Sequence, residues 1–213
     1  MSYLLRVELP DVPGSLGRLA SAIGSSGANI DAIEIVARDA EAGTAIDDVF
    51  IAPDREVMPD SIVSACTSQE GVKVLWISRY AAGGNLFLDL EMVEEMTQDP
   101  ATAVERLVDG LPQVFRVDWG VHLRREGDGA AVVHGTTAAP TAIPDKITWP
   151  ANLEKGQRID VPEEWSELVV AGSPLNADEL VVVGRRGGPE FLASEIARLA
   201  HLTAMAASLR RNA

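Results

Sequence analysis

Asp11, Pro13, Gly14, Ser15 and Leu16 fall in one run, Asp11-Val12-Pro13-Gly14-Ser15-Leu16, and Asn29 and Ile30 follow one helix length later in Gly27-Ala28-Asn29-Ile30. These types at this spacing suit the recognition of a small zwitterion. A helix opening at Pro13 or Gly14 presents free backbone N–H groups and the positive end of its dipole, a natural seat for a carboxylate. Gly14 has no Cβ and lets a ligand approach the backbone. Asp11 can cap the helix or receive an ammonium group, and Asn29 offers both a donor and an acceptor. An α-amino acid carries both charged groups, so the corner suits it at each end. The same residues also admit a purely structural role, as cap, packing glycine and turn asparagine.

Other residues with chemical potential are scattered. His122, His134 and His201 have no second His or Cys at metal-ligand spacing. Cys66 falls on the apolar stripe of a helix, the place of a small buried side chain rather than a nucleophile. Asp47-Asp48 lies in a strand, where alternation sends one carboxylate to each face and precludes an adjacent acid/base pair. Gly184-Arg185-Arg186-Gly187-Gly188 lacks the Lys-Ser/Thr of a phosphate loop and reads as a turn. Trp149 and Trp165 can line an apolar pocket or belong to an ordinary cluster. The expectation is therefore no catalytic residue, no metal and no cofactor. An enzyme would have to assemble its site from distant groups such as Asp118, His122 and His134.

The elements that hold the first corner are read from periodicity. Tyr3, Leu5, Val7 and Leu9 alternate as in a strand. Leu16, Leu19, Ala20 and Ile23 form one helical stripe that ends at Gly27. Ile30–Val36 and Thr44–Ala52 are strands joined through Asp39-Ala40-Glu41-Ala42-Gly43. Met58, Ile62, Ala65 and Cys66 mark a second helix. Val72–Ile77 is a fourth strand, apolar on both faces and so expected at the centre of the sheet. The order βαββαβ is the ferredoxin-like plan.

Ala81-Ala82-Gly83-Gly84 reads as a hinge. Beyond it come a helix over Leu86–Met96, a second from Ala101 to Asp109 with Asp99 as cap and Pro100 at its first position, and strands over Val114–Leu123 and Ala130–His134. A long loop over 136–166 follows, then strands over Glu167–Ala171 and Leu180–Gly184. A closing helix runs from Pro189 to Arg210, its stripe carried by Leu192, Ile196, Leu199, Thr203, Ala206 and Leu209.

The bulk properties narrow the class. A net charge of −14 in 213 residues disfavours nucleic acid, which calls for clustered Lys and Arg. Residues 1–80 carry 12 acidic and 6 basic side chains, against 20 and 12 in 81–213, so neither half is a charged tail. No apolar run approaches the roughly 20 residues of a membrane helix. A single cysteine and no basic, apolar leader fit a cytoplasmic protein.

Residues 1–80 resemble the ACT domain, a small regulatory module. The glycine in the first turn and Asn29-Ile30 at the start of strand two carry the resemblance. It implies amino-acid binding at the interface of a homodimer, between the first turn of one chain and the strand-two start of the other. Asp11, Pro13, Gly14, Ser15, Leu16, Asn29 and Ile30 are the implied contacts. The chain departs from some amino-acid-binding members, which have Asn where it has Asp11 and His where it has Leu9. The closing strand–turn–helix run, Leu168–Ala171, Asp178–Arg185 and Pro189–Ile196, resembles the end of a GAF-type sensor domain. The expected fold is α+β: an ACT-like domain over 1–80, a hinge over 81–84 and a GAF-like α/β domain over 85–213. The expected function is that of a non-enzymatic regulatory protein sensing a small molecule. The alternatives are a regulatory subunit with a separate enzyme as protein partner, and an ACT-like domain used only for dimerisation.

Overall fold

Alternation over Ser2–Pro10 builds strand β1, whose Leu5, Val7 and Leu9 are at most 2% exposed. The computed structural model describes residues 2–80, 84–127, 129–140, 155–163 and 166–213. The chain divides into two units, residues 1–84 and 85–213.

In the first unit β1 is followed by α1 (Ser15–Ser25), β2 (Ala28–Asp39), β3 (Thr44–Pro53), α2 (Pro59–Thr67) and β4 (Lys73–Tyr80). The four strands form one antiparallel sheet in the order β2-β3-β1-β4. Both helices pack on the same face, where Leu19 and Ile23 of α1 and Ile62 and Cys66 of α2 close over Leu5, Val7, Val49 and Ile51. The β2–β3 connection is held by the Asp39 carboxylate, which accepts the N–H groups of Glu41 and Ala42, both at 2.9 Å. Strand β4 lies at the sheet edge, beside β1, and not at the centre. Its second apolar face has a local use: the Trp76 ring lies 5.9 Å from the Arg6 guanidinium, on the side of the sheet away from the helices.

The second unit contains α3 (Gly84–Gln98), a 3-10 turn at Pro100–Thr102, α4 (Ala103–Phe115), β5 (Trp119–Glu126), β6 (Gly129–Gly135), β7 (Gln157–Ile159), β8 (Leu168–Asn176), β9 (Glu179–Arg186) and α5 (Ala193–Arg211). Its antiparallel sheet runs β6-β5-β9-β8-β7. Helices α3, α4 and α5 cover one face through Met96, Leu107, Leu111, Leu199 and Ala206 against Ala171, Val181 and Val183. On the other face Trp119, Val121, Leu123, Val170 and Val182 make a second cluster. The α+β class is thus as expected, and the sheet of the second unit is antiparallel as well.

The boundaries differ in places. Helix α4 does not stop at Asp109 but runs to Phe115, so Val114 is helical and β5 starts only at Trp119. Asp99 precedes the 3-10 turn rather than capping a helix, and its carboxylate accepts the Thr102 hydroxyl at 2.8 Å. Gly84 opens α3, whereas residues 81–83 of the expected hinge, together with Trp149 and Trp165, lie outside the described residues.

Candidate functional site

The β1–α1 corner is built by a left-handed glycine. Gly14 has φ +89° and forms the N-terminal cap of α1 with no side-chain bond. Any side chain would be strained there. Asp11 is therefore not the helix cap. The Ser15 N–H donates to the Val12 carbonyl at 3.2 Å, and the Ser15 hydroxyl accepts the Arg18 guanidinium at 3.0 Å. The first intrahelical bond runs from the Arg18 N–H to the Gly14 carbonyl at 3.0 Å. The N–H groups of Leu16 and Gly17 thus have no carbonyl of their own helix to meet. A groove of about 780 Å³ extends from Gly14, Gly17 and Arg18 along α1 to Ser61, Ser68 and Gln69 on the α2 side. Pro13 and Leu16 stand exposed at the mouth of the turn, and Ser15 is buried.

Asp11 points away from this helix end. Its N–H donates to the Gly43 carbonyl at 2.9 Å, and its carboxylate lies 3.6 Å from Arg38 at the end of β2. Asn29 is exposed and Ile30 half-buried, at the start of β2. Asn29 pairs with Ala52 of β3, and Asp11 is tied to Gly43 at the other end of that strand. Nine residues of strand at about 3.3 Å each separate the two levels by roughly 30 Å. Within one copy the fold brings Asp11, Gly14, Ser15 and Leu16 together and leaves Asn29 and Ile30 at the far end of the sheet.

The corner holds a residue that sequence reasoning did not select. Asp47 sits on β3, paired with Val7 on one side and Ile35 on the other, on the helix-facing side of the sheet. It is 3% exposed, and its Oδ1 has no hydrogen-bond partner. Burial, with the nearby Asp11 charge, raises its carboxyl above the ordinary carboxylate value; Arg38 opposes this and Asp48 adds to it. Asp48 turns to the other face and forms a two-pronged pair with Arg6, at 2.7 and 2.8 Å. The signal was present in the alternation: Asp47 shares a face with Ala45, Val49 and Ile51, all buried and apolar.

Elsewhere the chemistry-bearing residues have structural surroundings. Burial pushes the Cys66 thiol up to about 11, away from the thiolate a nucleophile requires. Arg185 is buried, paired with Glu195 at 3.1 Å and stacked over Phe191 at 4.1 Å, so the Gly-Arg-Arg-Gly-Gly turn is a packing device. His122 and His134 are cross-strand partners. His134 meets Asp109 at 2.7 Å, while His122 is buried 3.6 Å from Glu179. Asp118 accepts the Arg186 N–H at 2.6 Å beside a cavity of about 610 Å³ lined also by Trp119 and Leu168. Among the described residues no three His, Cys, Asp or Glu gather as a metal site, and no helix is long and apolar enough to cross a membrane.

Several solved structures are similar to parts of the chain. The GAF domain of a phosphoenolpyruvate-protein phosphotransferase from Acinetobacter is 12% identical with a TM-score of 0.45, covering 62% of this chain and 95% of that one. The corresponding GAF domain from Coxiella burnetii is also 12% identical with a TM-score of 0.45, over 61% and 96%. An unknown protein from Galdieria sulphuraria aligns over 99% of this chain and 91% of its own, at 11% identity and a TM-score of 0.31. Among curated proteins no sequence matches the chain. The family model described as the ACT domain matches residues 3–61, within the first unit.

Proposed function

We propose that the chain is a regulatory protein without chemistry of its own, and that its ACT domain binds an amino acid between two copies. ACT and GAF domains are small-molecule-sensing regulatory modules. The observation that carries the finer reading is the corner around Gly14. The unmet N–H groups of Leu16 and Gly17 and the guanidinium of Arg18 offer positive potential on one side of the turn, and the Asp11 carboxylate offers negative potential on the other. A zwitterion has one group for each. The roughly 30 Å between Asp11 and Asn29 means that a ligand touching both needs Asn29 from a second chain. Ligand binding then favours one dimer arrangement over another, and the second unit senses a second signal or passes the first one on.

The test is a thermal-shift screen of the whole chain against the twenty amino acids, with light scattering in the presence and absence of any that respond. The expected result is a dimer at micromolar concentration and a rise in melting temperature with one amino acid or a few. A monomer that no amino acid stabilises would falsify the reading.

A further inference from the structure

We propose that Asp47 is the buried counter-charge for a cationic group in this corner: its carboxylate receives the ammonium of an amine-bearing ligand, with Asp11 as the second acceptor at the rim. The proposal rests on the ligand site placed at the β1–α1 corner, and adds to it the residue that selects an amine.

The argument begins with what Asp47 lacks. A buried carboxylate without a partner is costly, and folded chains pair such groups or neutralise them. Asp48, the next residue on the same strand, is just as buried and holds Arg6 through two short bonds. Asp47 has no such arrangement: its cross-strand partners Val7 and Ile35 are apolar, and its Oδ1 meets no donor. The charged groups that act on it are Asp11 from the turn, Arg38 from β2 and Asp48 from β3. Two of the three are carboxylates, and the single cation, Arg38, lies 3.6 Å from Asp11. The immediate surroundings of Asp47 are therefore short of positive charge, and an incoming cation completes them.

The surroundings fix the kind of cation. Ile35, in the same cross-strand row as Asp47, is 47% exposed, and Val12 beside Asp11 is 54% exposed. An organic ammonium with an apolar body covers such side chains and reaches the carboxylate; a hydrated metal ion does not. The Asp11–Arg38 pair is long and solvent-exposed, so an ammonium displaces it at little cost. The raised carboxyl of Asp47 agrees, because burial without a partner disfavours its charged form and a cation beside it favours that form again.

The experiment compares the whole chain with its Asp47→Asn variant, which keeps shape and removes charge. Leucine and the other nineteen amino acids are titrated, and each with a thermal response is retested as its decarboxylated amine and its deaminated acid; isoamylamine and isocaproate serve as the fixed pair. Amine-bearing probes are expected to stabilise the wild type, deaminated acids to do so far less, and Asp47→Asn to weaken amine binding about tenfold or more. Without any probe, Asp47→Asn is expected to melt higher than wild type at pH 7.5, and the gap to close on acidification. The folded chain holds the Asp47 proton more tightly than the unfolded one, so the stability this confers is present at low pH and lost as pH rises through the folded value. Response to amines but not to amino acids keeps this role for Asp47 and overturns the amino-acid reading. Equal amino-acid affinity in the variant overturns the role and leaves that reading standing. Silence from every probe overturns both, and a variant that melts lower than wild type at pH 7.5 marks Asp47 as structural and overturns the proposal.

Discussion

Asp47 and Asp48 are neighbours in sequence with opposite surroundings, and the difference lies in register. Strand alternation alone separates them onto two faces. Only the pairing of β1 with β3 shows that Arg6 faces Asp48 while apolar Val7 faces Asp47. Asp48 therefore depends on one partner. Replacing Arg6 with Met should strand its charge and cost about 3–5 kcal/mol, whereas the double variant Arg6→Met, Asp48→Leu should recover most of that loss. Urea unfolding of the three proteins checks this; a single variant as stable as the double would mean that the pair does not organise this face. His122 carries a second residue-level prediction. Both ring nitrogens are buried without a hydrogen-bond partner, and burial lowers its pKa below the usual 6.5, with the Glu179 carboxylate opposing. The folded chain thus binds this proton less tightly than the unfolded one. Its contribution is full above about pH 6.5 and is lost as the pH falls from there toward the folded value. Melting temperature should fall between pH 6.5 and 5, and His122→Leu should flatten that part of the profile. The Gly14 turn was legible in the sequence because turn chemistry is local, whereas the cap expected of Asp11 falls to Gly14. Asp47 was not legible, because its lack of a partner is a property of three paired strands.

At the level of elements, legibility followed the width of the apolar stripe. Helix α5 was legible because Leu199, Thr203 and Ala206 are spaced for one face, and they are buried as that spacing demands. Helix α4 runs past the expected end at Asp109, through Gly110 and Pro112, two residues that disfavour a helix interior. Tertiary packing overrides them: Leu107, Val108, Leu111, Val114 and Phe115 continue one buried stripe through the proline. Pro112 has no N–H for the carbonyl four residues before it, that of Val108. That carbonyl faces Gly120 of β5, where an added Cβ would stand 3.1 Å from it and 2.9 Å from Leu111 Cδ1. The helix and strand meet here because the strand has no side chain. Gly120→Val should therefore cost about 1–3 kcal/mol through overpacking, read by denaturant unfolding, while the same change at Gly127, whose added Cβ meets nothing within 4 Å, acts only through its positive φ. In α5, Leu199→Asp puts an unpaired charge in the core and should lower the melting temperature by many degrees. A melt within a degree or two of wild type would mean that Leu199 is not packed between α5 and the sheet. Strand β4 was misplaced for the opposite reason: Trp76 on its outer face lies beside Arg6, and two apolar faces do not require a central position.

The largest scale is set by where the cores close. The cluster of the first unit draws on residues 5 to 72, and those of the second on residues 92 to 207 and 119 to 182. Each sheet thus has its own apolar cover, which is the physical condition for folding alone. The single cysteine makes this testable in the intact chain. Cys66 is fully buried in the first core, with its thiol pushed up to about 11, so a thiol reagent at neutral pH reaches it only when that unit opens. Labelling of Cys66 against temperature therefore follows the first unit, while far-ultraviolet circular dichroism follows both. Independent folding predicts that the two curves separate, and that residues 85–213 made alone melt cooperatively at the temperature of the transition that Cys66 does not report. An amino acid bound at the β1–α1 corner should then delay the Cys66 curve by RT ln(1 + [L]/Kd), about 2.7 kcal/mol at a hundredfold excess over Kd. The dichroism transition that Cys66 does not report moves with it only if the second unit responds to the first. Coincident curves in the absence of any ligand, together with a fragment 85–213 that does not melt cooperatively, would mean that the two halves fold as a single unit.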